Sequence, residues 1–542
     1  MADYDVSNEK ALIIEERNLN LSVLFDALDV LGITSIKVVE NAERGIEECS
    51  KTKFDLILCT TALHKGLTAN QFFEVLREKK LIGLATTFVS IDTDDELSVV
   101  YRLFELQADA IICAPISAKK LVDAIKAALI PKIELKFIYD VLSHGNLDVA
   151  LKIISTRLAA CDQAELLPAL MKMKGDILLS FERWQEAIVH FRQVLRNHYF
   201  AWAKIGLVDA YIHNDQPKHA AIYLNQLLLQ PETKAMAYAL LSELQLKSKE
   251  YKEAFDAILT SSALSPFNLE RQSSLLNLSR LNHDYDTQLK ASKAILKLSQ
   301  ETHHDNPQTY LNVIRASIDH AMTHFDEDQS QDLNTTTLCL KAIASRFPNE
   351  DLTNQIKVVN ARLHHLNNQS DQAKGLIAEV LANESETLGA IEDELDKAKA
   401  CHQLGLLDTA DQIFTRIQAY LQAHSEEEPS LVEYIDQEKA ERLRFPKCPK
   451  ELNDDAMGFL QNKEYLKAFD ALSTALTVLP DNISIAQNLL QTIADSPELD
   501  KQDGKVKMYI QQCLAIFSNK KLNEAQRAWL QQIKPSLEPK ES

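Results

Sequence analysis

Glycine is scarce in this sequence, and the scarcity restricts the folds open to the chain. The 542 residues contain 12 glycines, whereas an average usage of roughly 7% would give about 38. Glycine and proline form the tight turns that β-rich chains need. The sequence therefore argues against an all-β protein and favours helices joined by short polar turns. The chain is also too long for one compact core, so we expect several domains or a repeat array.

The formal net charge is −20, and it is spread over the whole chain. Residues 1–130 carry 14 basic and 21 acidic side chains, a net of −7, and the remainder carries 44 and 57, a net of −13. Neither part has the basic surface with which proteins bind nucleic acids. An acidic surface also repels anionic membranes. We therefore expect protein partners, with no nucleic acid and no membrane.

Two further features bear on the compartment of the protein. No apolar run approaches the length of a transmembrane helix, and the first residues lack the basic-then-apolar order of a signal peptide. The eight cysteines are dispersed, which argues against a disulfide framework or a zinc site. The sequence predicts a cytoplasmic protein.

Short apolar runs alternate with helix-periodic stretches in the N-terminal part of the chain. The candidate strands are Ala11–Ile14, Ile36–Val39, Asp55–Cys59, Thr87–Ile91 and Ala110–Cys113. The candidate helices are Leu21–Leu31, Ala42–Ser50, Ala69–Lys79, Asp95–Gln107 and Ala118–Leu129. This alternation predicts an α/β domain of the flavodoxin-like class over residues 1–130, with a five-stranded parallel sheet covered on both faces. Ligands of such sheets bind at the carboxyl ends of the strands.

The residues at those strand ends form a recognisable series. In chain order they are Glu15, Glu16, Thr60, Ser90, Ala114 and Pro115. Over about residues 9–129, the series resembles the receiver domain of bacterial response regulators. That family has an acidic pair, a phosphorylatable Asp, a Ser or Thr, and a Lys-Pro pair at these places. The resemblance implies a Mg²⁺ ion on the acidic residues and phosphoryl transfer to the Asp.

Two positions depart from the receiver pattern. Thr60 stands where the nucleophilic Asp belongs, and Ala114 stands where the Lys belongs. Asp55 begins the third strand, about 16 Å from its end, and cannot replace the nucleophile. A Thr hydroxyl accepts phosphate poorly without an adjacent base. We expect a pseudo-receiver with no cofactor, in which weak Mg²⁺ binding at Glu15 and Glu16 is the less favoured alternative.

Two alternatives keep a role for phosphorylation. Asp92 or Asp94 could replace the missing acceptor, which would make a working but atypical response regulator. A Ser/Thr kinase could instead modify Thr60 or Thr61.

The chain after the α/β domain contains a helical repeat. In the segment KMKGDILLSFERWQEAIVHFRQVL, Ala187 follows Gly175 by twelve residues and Phe191 follows four later. This spacing resembles a tetratricopeptide repeat (TPR). Ala254 lies 67 residues after Ala187, close to two periods of about 34 residues. In the unit that contains Gly206, the spacing predicts an inter-helix turn about two residues longer than that of the Gly175 unit.

We assign residues 131–542 to the repeat domain. The repeat pattern is clearer in some of its segments than in others. Weaker units centre on Ala373, Ala410 and Ala468, and the pattern is degraded, though still helical, between about residues 267 and 350. We predict an all-α, TPR-like solenoid of six to nine units. The first helices of such units line a groove that binds other proteins.

TPR spacing places a set of side chains in that groove. They are Lys172, Asp176, Phe200, Leu207, Tyr211, Glu243 and Lys247. Their charges are mixed. The clamp by which some TPR domains grip a terminal carboxylate has Asn four residues after a Lys, and Asp176 at that place would repel the carboxylate.

The sequence offers no catalytic site. It lacks GxSxG, a Walker phosphate loop, HExxH and a Gly-rich dinucleotide turn, so we expect no enzyme activity.

His320 and His324 share one helix face and could hold a metal ion with Asp326 or Asp328. Because no third ligand stands at a defined spacing, we predict no metal site.

A receiver domain followed by TPR units resembles the VieB-like receiver–TPR response regulators of bacteria. The resemblance implies a cytoplasmic regulator in a two-component phosphorelay that acts through protein contacts. Its partner would be a histidine kinase or another response regulator, docked near Leu21–Leu31 and Ala114–Ile116. The alternative is a structural assembly subunit that homodimerises through the receiver-like domain.

Overall fold

The computed structural model describes most of the chain. The described residues are 6–16, 20–60, 67–92, 108–113, 115–160, 164–302, 304–324, 330–383, 388–423, 429–519, 522 and 524–537. The chain divides into two compact units. The first comprises Met1–Leu275 with Ala294–Asp305, and the second comprises Leu276–Lys293 with Asn306–Ser542.

The first unit begins with a five-stranded parallel sheet. Its strands are β1 (Lys10–Ile14), β2 (Ser35–Val39), β3 (Leu56–Thr60), β4 (Thr87–Asp92) and β5 (Ala110–Cys113). Their order is β2-β1-β3-β4-β5, which is the order of flavodoxin-like doubly wound folds. The predicted fold class is confirmed, and each strand begins and ends within one residue of its predicted bounds.

Helices cover both faces of this sheet. They are α1 (Leu21–Val30), α2 (Ala42–Lys51), α3 (Ala69–Glu78) and α4 (Ala118–Glu134). Neighbouring strand residues point to opposite faces. Ile13 therefore packs with α1 and α4, whereas Leu12 and Ile14 pack with α2 and α3. The helix predicted at Asp95–Gln107 lies outside the described residues.

Helix α4 leads from the sheet into the repeats without an intervening linker. It continues past its predicted end to Glu134, and α5 (Lys136–Ser143) begins two residues later. Lys132 Nζ lies 2.6 Å from Asp109 Oδ2, which ties the end of α4 to the start of β5. Leu135 is fully buried among the first hairpins. The predicted domain boundary therefore falls inside a helix.

No strand follows β5 in the described part of the chain. The helices after α5 are α6 (Leu147–Ala160), α7 (Leu167–Ser180), α8 (Trp184–Asn197), α9 (Ala201–His213), α10 (Pro217–Leu228), α11 (Lys234–Lys247), α12 (Tyr251–Leu264), α13 (Leu269–Leu281), α14 (Tyr285–Ser299), α15 (Pro307–Thr323), α16 (Ser330–Arg346), α17 (Thr353–Leu366), α18 (Ser370–Ala382), α19 (Ile391–Gln403), α20 (Leu407–Ala423), α21 (Pro429–Arg444), α22 (Pro449–Gln461), α23 (Tyr465–Val478), α24 (Ile483–Asp495), α25 (Gly504–Asn519) and α26 (Glu524–Leu537). Adjacent helices pack as hairpins, among them α5–α6, α7–α8, α9–α10, α11–α12, α15–α16, α17–α18, α19–α20 and α22–α23. The predicted helical-repeat architecture is confirmed.

The turns inside the hairpins share one backbone conformation. Glu182, Asp215, Lys249 and His283 have φ between 51° and 60°, and they recur along the chain at the period of the repeat. This left-handed region is usually occupied by glycine, and other residues adopt it at a cost of about 1–2 kcal/mol each. Because the repeats use non-glycine residues in these turns, the chain needs few glycines.

The ring of Phe191 determines how closely neighbouring hairpins approach. It lies on α8, and a Cβ added at Gly175 on α7 or at Gly206 on α9 would stand 2.4 or 2.5 Å from its ring atoms. The two glycines therefore make room for one buried ring. The longer turn predicted for the Gly206 unit is wrong, because the turns before α8 and before α10 both contain three residues. Gly206 is not the repeat equivalent of Gly175.

We expect Gly175→Ala and Gly206→Ala each to lower the free energy of unfolding by about 1–3 kcal/mol, because the new methyl group overpacks the Phe191 ring. Urea unfolding followed by circular dichroism measures the loss. In a Phe191→Leu background the cost of Gly175→Ala should shrink. Gly375→Ala is the control, since its Cβ meets nothing within 4 Å and should be neutral or stabilising. Equal effects at Gly175 and Gly375 would contradict this account.

Candidate functional site

The carboxyl edge of the sheet holds a hydroxyl where a receiver domain has its acceptor carboxylate. Thr60 ends β3, and its Oγ1 donates to the carbonyl oxygen of Ile14 at 3.2 Å. Glu15 is 4% exposed and accepts a hydrogen bond from Asn20 Nδ2 at 3.3 Å. Ser90 lies two residues before the end of β4, and its buried hydroxyl has no hydrogen-bond partner among the described residues. The Thr60 hydroxyl is thus already hydrogen-bonded to the backbone.

The other predicted residues of this edge are described in part. Glu16 lies half-buried two residues after the end of β1, and Pro115 is exposed. The side chain of Asp92 and the whole of Ala114, Thr61 and Asp94 lie outside the described residues.

The predicted groove residues on α7 and α9 do not present one binding surface. Lys172 Nζ pairs with Asp176 Oδ2 at 2.7 Å on an exposed face. Leu207 and Tyr211, at 0% and 3% exposed, are core residues. Their assignment to the groove is therefore corrected, because α9 is packed on both sides and turns these side chains into the hairpin core.

The remaining predicted groove residues contact their own neighbours. The Phe200 ring is half-buried and stacks on Trp202 at 5.2 Å between ring centres. Glu243 Oε1 lies 3.4 Å from His213 Nε2, and Lys247 Nζ donates to the carbonyl oxygen of Ile212 at 3.0 Å. Burial raises the pKa of the Glu243 carboxyl, and the nearby His213 opposes this effect.

A different site lies in the second unit, where charged side chains fill the interior. We call it the ionic network. It consists of Arg280 on α13, Arg315 and Asp319 on α15, Arg362 on α17, Glu392, Asp393, Asp396 and Lys399 on α19, and Glu438 and Arg442 on α21. The set contains five basic and five acidic side chains, so its charges balance. Buried charges are tolerated when they are paired in this way.

Helix α19 is the centre of the ionic network. Every residue from Glu394 to Gln403 is buried, although the helix reads IEDELDKAKACHQ. A helix buried on all sides is normally apolar throughout. Here Asp396 and Lys399 pair with the neighbouring helices α15, α17 and α21. Glu392 pairs with Arg280 on α13, and Glu394 and Lys397 pair with each other.

Arg362 makes the most extensive contacts. Its guanidinium is 1% exposed and donates to Asp396 Oδ1 at 2.6 Å, to Gln403 Oε1 at 3.1 Å and to Asp319 Oδ1. Lys399 Nζ also contacts Asp319, at 3.0 Å, and donates to Tyr434 Oη at 2.7 Å. Burial opposes ionisation of Asp319, yet Lys399 and Arg362 hold its pKa well below the usual range.

Two further arginines belong to the ionic network, one paired with α19 and one paired within α21. Arg280 donates to both carboxylate oxygens of Glu392, at 2.8 and 3.1 Å. Arg442 Nε donates to Glu438 Oε2 at 2.6 Å. Burial opposes ionisation of Glu438, but Arg442 and Lys399 lower its pKa to about 2.

His402 is a neutral member of this interior. Its Nε2 lies 2.8 Å from the carbonyl oxygen of Phe445, and Arg442 Nη1 lies 3.1 Å from its Nδ1. A carbonyl can only accept and a guanidinium can only donate, so Nε2 carries the proton and Nδ1 accepts. Burial and the Arg442 charge lower the pKa of His402 to about 4.

A cleft of about 70 Å³, partly open to solvent, borders the ionic network. Its walls include the apolar side chains of Met322, Phe445 and Leu479 and the polar side chains of His402 and Lys447. Apolar walls with a few fixed polar groups are typical of binding sites. This cleft was not predicted from the sequence. The available signal was the run of charged residues in IEDELDKAKACHQ, which continues around all sides of α19.

The comparisons with known proteins give no family. No protein-family model and no curated protein matches the chain. Similar solved structures include a tetratricopeptide repeat protein from Parabacteroides merdae, with 13% identity over 47% of this chain and 94% of that one and a TM-score of 0.28. The APC/C heterotetramer Cut9–Hcn1 has 10% identity over 74% and 96%, with a TM-score of 0.24. The apo quorum sensor NprR from B. thuringiensis has 12% identity over 63% and 99%, with a TM-score of 0.25.

TM-scores this low do not indicate a shared activity. The class of protein follows from the chain itself: a doubly wound α/β domain is followed by an array of TPR-like helix hairpins. None of the described helices combines the length and the apolar character that a bilayer crossing requires.

We expect Arg362→Leu to lower the free energy of unfolding of the second unit by about 3–5 kcal/mol, because it leaves buried carboxylates without their counter-ion. With Trp184 and Trp202 replaced by Phe, the fluorescence of Trp529 reports this unit during urea unfolding. Adding Asp396→Asn should recover part of the loss. Lys467→Ala, which removes an exposed ion pair with Glu464, is the control and should leave the midpoint unchanged. Similar urea midpoints for Arg362→Leu and Lys467→Ala would contradict a stabilising role of the ionic network.

The second unit should lose stability as the pH falls from about 6.5 towards 4. His402 has a lowered pKa in the folded chain, so it stays neutral while the unfolded chain takes up a proton. Between pH 7.5 and 5 we expect its contribution to fall by about 2 kcal/mol. Gln keeps one donor and one acceptor, so His402→Gln should remove this part of the pH dependence. Identical pH profiles of the variant and the natural chain would exclude a buried neutral His402.

Proposed function

We propose that this chain is a non-enzymatic adaptor of a two-component signalling pathway. Its receiver-like domain would dock on a histidine kinase or on another response regulator without accepting a phosphoryl group. Its helical repeats would bind a second protein. The observation that carries the proposal is Thr60, which ends β3 where the receiver family has its acceptor and donates its hydroxyl to the backbone of Ile14.

The sheet edge supports docking without phosphotransfer. An acceptor needs a nucleophilic carboxylate beside a cation site, whereas Glu15 is buried and bonded to Asn20. The predicted docking helix α1 nevertheless exposes two apolar side chains, Phe25 at 41% and Val30 at 68%. Because residues five apart lie on different sides of a helix, we take Phe25 as the apolar contact of the docking surface.

The cleft beside the ionic network supports partner binding by the repeats. Its apolar walls would take an apolar partner side chain, and Lys447 and Glu441 at its rim would select the flanking charges. Because the ionic network ties α15, α17, α19 and α21 together, this cleft is held in one shape before the partner arrives. Preorganisation of this kind lowers the entropy cost of binding. We assign the protein to the cytoplasm as part of this proposal.

Phosphotransfer to the full-length chain tests the proposal. The histidine kinases of the same genome are first charged from labelled ATP, and then mixed with the chain and Mg²⁺. We expect at least one kinase to bind it without transferring label, and acetyl phosphate to leave it unlabelled. Phe25→Asp should weaken that binding at least tenfold. Leu84→Asp, at a residue 47% exposed in the same domain, should not.

Two results would contradict this function. Stable label that disappears in Asp92→Asn or Asp94→Asn would make the chain a working response regulator. A concentration-dependent dimer that Phe25→Asp dissociates, with no kinase bound, would make it an assembly subunit.

A further inference from the structure

We propose that Asp286, His320 and His324 form a binding site for a divalent transition-metal ion, with Zn²⁺ the best-fitting ion. All three lie in the second unit, and we call them the histidine cluster. No metal site was predicted at the two histidines, because no third ligand stands at a defined spacing in the sequence. The structure supplies one from the first turn of α14, well before His320 in the chain.

The two imidazoles are arranged side by side at the end of α15. His320 and His324 are one helical turn apart, and their ring centres are 4.2 Å apart with the planes nearly parallel. The carboxylate of Asp286 lies across from both rings. Its Oδ1 is 3.2 Å from His320 Nε2, and its Oδ2 is 3.9 Å from His324 Nε2.

The second nitrogen of each ring is already engaged. His320 Nδ1 lies 2.7 Å from Asp332 Oδ2, and His324 Nδ1 lies 3.1 Å from the carbonyl oxygen of His320. Both oxygens can only accept, so each neutral ring carries its proton on Nδ1. With its proton on Nδ1, each neutral ring turns the lone pair of its Nε2 towards Asp286, and a bound ion would replace the direct contact of Nε2 with that carboxylate. Metal-binding histidines in proteins are held in this way by a second acceptor.

The spacing of the three ligand atoms suits a small ion. Zn–N and Zn–O bonds of about 2.0–2.2 Å in tetrahedral geometry place neighbouring ligand atoms about 3.3 Å apart. One ligand atom from each residue can be chosen so that all lie within 4.8 Å of one another. Rotation of the exposed Asp286 side chain can adjust the distances of its oxygens from the two Nε2 atoms, which are now 3.2 and 3.9 Å. Two imidazoles and one carboxylate favour Zn²⁺ over Mg²⁺ or Ca²⁺, which prefer oxygen ligands alone.

The histidine cluster is better suited than the two other groups of potential ligands in the described residues. Asp209, His213 and Glu243 offer one imidazole, and His365, Cys448 and Glu451 offer one imidazole beside a buried thiol. Burial raises the pKa of Cys448 to about 12, which opposes the thiolate that Zn²⁺ needs. The histidine cluster has two imidazoles whose Nε2 atoms both face Asp286, and its three protein ligands leave a fourth position for water.

Titration of the untagged full chain with Zn²⁺, by calorimetry and by competition with a chromogenic chelator, tests the proposal. We expect binding of one ion with micromolar or tighter affinity. His324→Ala and Asp286→Asn should each weaken it at least tenfold. Asp332→Asn should weaken it about 10- to 100-fold, because it removes the acceptor that orients His320. His364→Ala is the control, at a half-buried histidine of the same unit, and should bind as the natural chain does.

The absorption spectrum of the Co²⁺-loaded chain identifies the ligands independently. Bands of four-coordinate Co²⁺ without a thiolate charge-transfer band support the histidine cluster, and a thiolate band would place the ion at Cys448 instead and overturn the proposal. Asp286 is exposed, with 61% of its side chain accessible, so Asp286→Asn should fold normally. Undetectable binding by the natural chain, or unchanged binding by folded Asp286→Asn and His324→Ala, would also overturn it.

Discussion

The buried guanidinium of Arg362 is the contact on which the second unit depends. It joins α17 to α15 through Asp319 and to α19 through Asp396 and Gln403. A charge buried this deeply is stable only while its partners stay within hydrogen-bond distance. Hydrophobic packing tolerates small shifts of one helix against another, whereas these bonds do not. The relative positions of the three helices are therefore fixed by charge pairing as well as by shape.

The same pairing explains why the interior of this unit offers limited space. The first helices of a TPR-like array are expected to line an open groove, but here α19 is buried on every side by its charged neighbours. Space for a ligand remains beside α21 and α22, where Phe445 and Pro449 border the cleft. A partner would meet a small, rigid recess with fixed polar groups. Such a surface suits recognition of one or two anchor side chains more than capture of a long peptide.

Much of the fold could be predicted because it rests on local patterns. The apolar runs of the sheet and the small-residue spacing around Phe191 are visible in the sequence, and both led to the right architecture. The sites could not be predicted as well, because they depend on residues far apart in the chain. Asp286 meets His320 across 34 residues, and Arg280 meets Glu392 across 112. Leu207 and Tyr211 were misplaced since repeat spacing alone does not reveal which face of α9 is covered.

Hydrogen–deuterium exchange of the full-length chain, resolved to peptides, tests the central claim most directly. If paired charges fill the interior of the second unit, the amides of α19 should be among its slowest to exchange, even though more than half of the residues in that helix are charged or polar. The exposed α18, on the outer side of its hairpin, should exchange faster. Rapid exchange throughout Ile391–Gln403 would mean that the helix lines an open, solvated groove, and it would contradict the account.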